Sequence, residues 1–179
     1  MMNFKATLLV LSLALTPLAA GHGEEPAAGK SAASASAAAY PTVEEARRQA
    51  AGLHVTVHAT LQLVHHRYYR EDEGLAIPAA TLKEVFAELE KDQQVKLRWL
   101  VVEGQAMNED HRAGNAFEVE AVKALKAGKP SHELVEDGTY RRAGPITLSN
   151  ACLKCHVPDR KNTKDRTAGL IVTIPLKAP

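Results

Sequence analysis

The sequence predicts an α+β domain, on three observations. Apolar residues recur at helical spacing from Leu53 to Tyr68 and alternate at strand spacing from Val95 to Val101. They also bracket an Asp137-Gly138 pair of the kind that closes two-residue hairpins. The chain of 179 residues carries 22 Lys and Arg against 21 Asp and Glu, which gives no general reason to expect nucleic acid or an anionic membrane as partner. Two cysteines cannot build the multi-bridge framework of small secreted domains. Three Phe, four Tyr and one Trp leave few large side chains for a core, so aliphatic packing fills it or a group that is not a side chain does.

Residues 1–20 read as a secretory signal: Lys5, a mostly apolar stretch to Leu15, Pro17, then Ala19, Ala20 and Gly21 as a small-residue cleavage region. The stretch is short for a span, which takes about 20 residues, although an uncleaved anchor is the alternative reading. Without it the chain has 21 charges of each sign, because Lys5 is the one charge lost. Residues 21–39 contain no large apolar side chain and read as a flexible linker with His22 in it. The folded domain is expected over residues 40–179, in the periplasm or secreted, with no membrane span once the signal is removed.

Within it, residues 42–70 predict one long helix. Thr42 and Glu45 form a capping box, and Leu53, Val57, Leu61, Val64 and Tyr68 form the stripe expected to be buried. Gly74 and Pro78 end that region. A second helix is expected from Thr81, boxed with Glu84, presenting Leu82, Val85, Phe86 and Leu89. Residues 95–102 alternate as a strand, with Trp99 in the core, and 103–114 is a polar loop. Asn115 and Glu118 cap a third helix that stops at Gly128 before Pro130. Residues 132–136 and 139–148 form the hairpin, Ser149 caps a helical turn, 157–167 is a loop and 169–176 a closing strand. The count is about four strands, mostly antiparallel, and three helices.

The chemistry lies in Cys152-Leu153-Lys154-Cys155-His156. C-x-x-C-H is the c-type haem attachment signature. Two thiols three residues apart can each add to one haem vinyl group, and His156 is then placed beneath the iron as axial ligand. Three other readings fit less well. A redox dithiol lacks the βαβ setting and leaves His156 unexplained, a zinc site lacks a second cysteine pair, and a plain structural disulfide stands no better. One covalent haem c also answers the aromatic shortage, by filling the core.

His54, His58 and His65 share one stripe of the first helix, within about 40° at 100° per residue, while His66 points elsewhere. One of the three is expected opposite His156, with His58 favoured for its central position. His54, His65, Met107 and His111 are the alternatives. Arg141 and Arg142, beside Tyr140, are candidates for pairing with haem propionates, against a plainer reading as exposed strand positions. Arg160, Lys161, Lys164 and Arg166 read as a solvated loop.

The segments SNACLKCHVPD, residues 149–159, and AGLIVTIPL, residues 168–176, resemble the c-type haem PAS-like family, a domain first described in cyanobacterial monohaem redox-sensor proteins. The resemblance implies a PAS-like antiparallel sheet with flanking helices around the haem. It also implies that the opposite ligand can be a cysteine from outside the motif. This chain departs there, because Cys152 and Cys155 are its only cysteines, so bis-histidine ligation is the natural substitute.

The expected function is redox or electron transfer by an exported monohaem protein, its partner a redox protein or a quinone or cytochrome chain component. A haem-based redox or gas sensor acting through a partner is the alternative, since no segment here resembles an output module. A peroxidase-type enzyme comes third, because it needs an open distal site with acid–base groups.

Overall fold

The computed structural model describes residues 41–177. The expected signal and linker, residues 1–39, lie outside the described residues. Helix α1 spans Val43–Arg67, α2 Pro78–Gln93, strand β1 Lys96–Leu100 and α3 Ala116–Lys126. The hairpin strands β2, His132–Glu136, and β3, Thr139–Leu148, follow, then α4, Asn150–His156, and β4, Arg166–Pro175. All four strands pair antiparallel in the order β1-β4-β3-β2. The domain is α+β. Short 3₁₀ turns sit at Glu71–Glu73 and Glu109–His111.

Local chemistry accounts for most boundaries. Thr42 and Glu45 form the reciprocal capping box that starts α1. Asn115 accepts from the Glu118 amide to start α3, and Gly128 ends it at φ +78. Asp137 and Gly138 both adopt positive φ, 48° and 66°, as a two-residue hairpin of the primed type requires. Helix α2 corrects an expectation. It begins at Pro78, three residues before Thr81, with Pro in the first helical position, where its missing N–H costs nothing.

Helices α1 and α2 cover one face of the sheet around Trp99, Tyr140, Ile146, Leu170 and Val172. Helix α3 covers the other around Leu100, Ala143, Ile171 and Phe117. The buried stripe of α1 is the expected one only in part: Val57 is buried and Leu53 and Leu61 pack against the core. Ala46, Ala50, His54 and Val57 are buried, whereas Tyr68 is 70% exposed. Two fully covered alanines let the helix axis lie close to the sheet, so small residues settle the contact rather than large ones.

The seat of α1 is also polar, and the cause is a mismatch in strand length. Strand β2 pairs with β3 only as far as Ala143, so the edge of β3 from Gly144 onward has no strand beside it. The backbone groups on that edge take partners from α1 instead, on three successive turns. His54 Nε2 lies 2.9 Å from the Pro145 carbonyl, to which it donates. The Thr147 amide donates to His58 Nε2 at 3.3 Å, and Gln62 Nε2 donates to the Thr147 carbonyl at 2.8 Å. Pro145 has no N–H to satisfy on that edge, which is where a strand tolerates proline.

His58 must stay neutral to hold this edge, since a protonated imidazole cannot accept a hydrogen bond, and His54, which donates, is kept neutral by its burial beside Arg142. Burial pushes the pKa of each below the ordinary 6.5, and the Arg142 guanidinium pushes His54 further. The unfolded chain therefore binds more protons than the folded one below about pH 6.5. The stability that the neutral histidines contribute is complete above that pH and is lost as pH falls toward their depressed folded values. The urea midpoint is expected to drop between about pH 7.5 and about pH 5.5. A His54→Gln/His58→Gln variant should lose less over the same interval, and an equal loss would remove these residues from the account.

Candidate functional site

Strands β1 and β3 end, and β4 begins, at one end of the sheet, where Leu100 pairs with Gly169 and Ile146 with Ala168. A mostly apolar cavity of about 820 Å³ opens there between α1, α2, α4 and the loop that follows β1. That volume is in the upper part of the range for cofactor pockets, roughly 300–1,000 Å³. Trp99, Leu100, Ile146, Ala168 and Gly169 form its floor. The sheet faces on either side are closed by side chains, so the open volume sits at the end of the sheet and not in the middle of the core.

Cys152, Cys155 and His156 line one wall. Helix α4 starts directly off β3, and the Cys152 amide donates to the Ser149 carbonyl at 2.8 Å. Leu153, fully buried, fixes the helix on its inner side, which turns the cysteines and His156 outward around it. Cys152 is half-buried and Cys155 exposed, and the two thiols are not bonded to each other. The Ser149 hydroxyl lies 3.6 Å from the Cys152 sulfur. Lys154 pairs with Glu71 at 3.4 Å, and Arg160 donates to the Leu153 carbonyl at 3.3 Å, so Arg160 serves α4 rather than solvent alone.

The loop after β1 reaches the same wall. The Gln105 amide donates to the His156 carbonyl at 2.8 Å. Burial pushes the pKa of His156 down, the Gln105 main chain hydrogen-bonding to it opposes this, and the charge of His65 adds to the depression. His111 is pushed down by burial and then by Lys83 and Arg98.

The histidine stripe divides. His54 and His58 do not line the cavity, because both are spent on the β3 edge. Gln62 continues their line and His65 follows it, beyond the last residue of β3, so His65 faces the cavity with its ring 5.0 Å from that of Tyr69. Of the three stripe histidines, His65 is thus the one that lines the cavity, seven residues or roughly 10 Å beyond His58 along the helix at about 1.5 Å per residue. Met107 and His111 line the cavity as well.

Arg141 and Arg142 do not reach it. Arg141 lies over the Phe117 ring on the α3 side, 6.0 Å from its centre. Arg142 is directed under α1, 3.7 Å from Glu133 and packed with His54 against Gly144. The cations at the cavity are Arg70, Lys83 and Lys154 instead. The sequence reading missed these, together with Tyr69, Gly104 and Gln105. Among the described residues, no three His, Cys, Asp or Glu side chains gather as a metal-ion site, and no helix is long and apolar enough to cross a membrane.

Fold and site together define a small α+β domain that brings a C-x-x-C-H turn and His65 to one mostly apolar cavity. The chain belongs to the Tll0287-like family, whose model matches residues 36–172, in agreement with the resemblance carried by residues 149–159 and 168–176. Among solved structures it is similar to that of the cyanobacterial heme-protein Tll0287, at 17% identity and a TM-score of 0.46 over 76% of this chain and 95% of that one. Comparison with curated proteins finds no match.

Leu153 is the hinge pin of α4. Leu153→Ala is expected to cost about 2–5 kcal/mol, as for other buried leucines, read as a lowered urea midpoint. A change under about 1 kcal/mol would mean that α4 is held elsewhere.

Proposed function

We propose that the protein is an exported monohaem c-type redox protein that carries its haem in this cavity. The observation that supports the reading most is the convergence of Cys152, Cys155 and His156 on one wall of an apolar cavity of cofactor size. The donor set fits the group: two thiols for thioether bonds, one imidazole for the iron, and apolar walls for the ring. His65, which lines the same cavity, is the residue we assign as sixth ligand. Arg70, Lys83 and Lys154 are the cations available to the ring's carboxylates. When bound, haem iron supplies a one-electron couple between its ferric and ferrous states.

The chain's own residues favour electron transfer over catalysis. An imidazole on each side of the iron leaves no open position for a substrate. Ile77 and Met107 line the cavity while standing 43% and 55% exposed, so an apolar edge of the site reaches the surface, where an electron can pass to a partner. That partner is a redox protein or a quinone or cytochrome chain component outside the cytoplasm, where c-type attachment occurs.

Two measurements test this. Wild-type protein produced with c-type maturation should keep its haem through denaturing electrophoresis, and a Cys152→Ala/Cys155→Ala variant should lose it; wild type without bound haem would end the reading. The ferric spectrum should be low-spin and the ferrous protein slow to bind CO. His65→Ala should convert it to a high-spin, CO-binding form, while His58→Ala stays low-spin. A low-spin His65→Ala protein together with a high-spin His111→Ala protein would move the ligand to His111. Rapid CO binding by wild type would favour gas sensing.

A further inference from the structure

We propose that the turn at Gly104 and Gln105 orients His156 and sets its strength as an iron ligand, which makes Gly104 a positioning residue for the redox centre. The inference rests on the haem reading above.

The turn grips the motif's last residue from outside α4. The Gln105 amide donates to the His156 carbonyl at 2.8 Å. Gly104 makes that approach possible. Its φ is +87°, a region that side chains disfavour. A Cβ there would stand 2.5 Å from the His156 oxygen, 3.0 Å from Val157 Cγ2 and 3.3 Å from the His156 carbonyl carbon. Two of these three atoms are backbone, so they cannot swing away as the tip of a flexible side chain would.

The turn cannot retreat either, because its base is fixed. The Glu103 amide donates to the Thr167 carbonyl at 2.9 Å, and the Thr167 amide returns a bond to the Glu103 carboxylate at 2.8 Å. Farther along, the Val101 amide donates to the His111 carbonyl at 2.8 Å, closing the loop on itself. Arg98 adds bonds to the carbonyls of Asp110 and Arg112, the latter at 2.7 Å. The sheet therefore holds the turn, and the turn holds His156.

The Gln105 main chain also stands beside the imidazole, where it favours the form that carries a ring N–H. A histidine that ligates a metal through one ring nitrogen commonly donates the N–H of the other to a backbone carbonyl. That bond fixes the tautomer, stops the ring from rotating and makes the ligating nitrogen more basic. A more basic ligand stabilises ferric over ferrous iron. The turn should accordingly hold the reduction potential down, and loosening it should let the potential rise.

The test compares haem-loaded wild type, Gly104→Ala and Gln105→Ala by redox titration and ferric EPR. Gly104→Ala should keep its covalent haem, show a more positive midpoint potential and give an altered low-spin EPR signal. Gln105→Ala keeps the main chain and should match wild type in both. A folded, loaded Gly104→Ala protein with wild-type potential and EPR overturns the proposal. If that variant does not fold, the wild type decides. Slow hydrogen–deuterium exchange of the His156 ring N–H, followed by paramagnetic NMR, supports the turn, and exchange at the rate of an open imidazole overturns it. A wild type that carries no covalent haem overturns the haem reading itself, whereas loaded proteins with unmoved potentials overturn only the role of the turn.

Discussion

The arrangement depends on the hydrogen bonding of five residues at the unpaired end of β3. Because β2 stops at the partner of Ala143, the strand needs another element to satisfy its edge, and α1 does so with His54, His58 and Gln62. Each such bond contributes about 0.5–1.5 kcal/mol net, so the three together resist a slide of the helix by a turn. They fix both the position and the rotation of α1. Everything farther along the helix inherits that phase, which carries His65 and His66 to the cavity.

The other walls are set by the same sheet end. Strand β3 passes directly into α4, and β1 leaves from the neighbouring position through a loop tied back to β4 at Thr167. The motif and the loop that grips it are thus anchored to paired strands one register step apart, Leu100 opposite Gly169 and Ile146 opposite Ala168. A site built this way is shaped by backbone pairing, with side chains making the last adjustments. The small residues reflect the closeness required: Gly169 has Leu100 and Leu125 atoms at 3.2 Å from where a Cβ would be.

Much of this was legible in the residues. Capping chemistry marked the start of α1 and both ends of α3, Asp137-Gly138 marked the hairpin, and C-x-x-C-H marked the wall of the cavity. The histidine stripe was also legible as a stripe. Its division was not, because a partner on a strand edge is a tertiary fact: nothing in the local pattern separates a histidine that holds a backbone carbonyl from one that faces a void. Gln62 went unread for the same reason, although it lies on the same line. The buried face of α1 was legible in Leu53, Val57 and Leu61 but not in Ala46 and Ala50, whose smallness permits the close contact and leaves no apolar signal of its own. Arg141 and Arg142 stand near the motif in sequence, yet strand alternation sends them to opposite faces and away from the sheet end. Gly104 looked like any loop glycine, since its need for a missing Cβ arises from a carbonyl 52 residues away.

Pro145 has a further consequence. The half-edge of β3 that α1 covers would, if bared, be a flat strip of backbone on which a strand from another chain could add. A proline in the middle of that strip offers no N–H to an incoming strand and interrupts the ladder. The domain thus carries its own guard against cross-chain templating whenever α1 is off the strand. The guard lies in the strand itself, so it works even while its cover is absent.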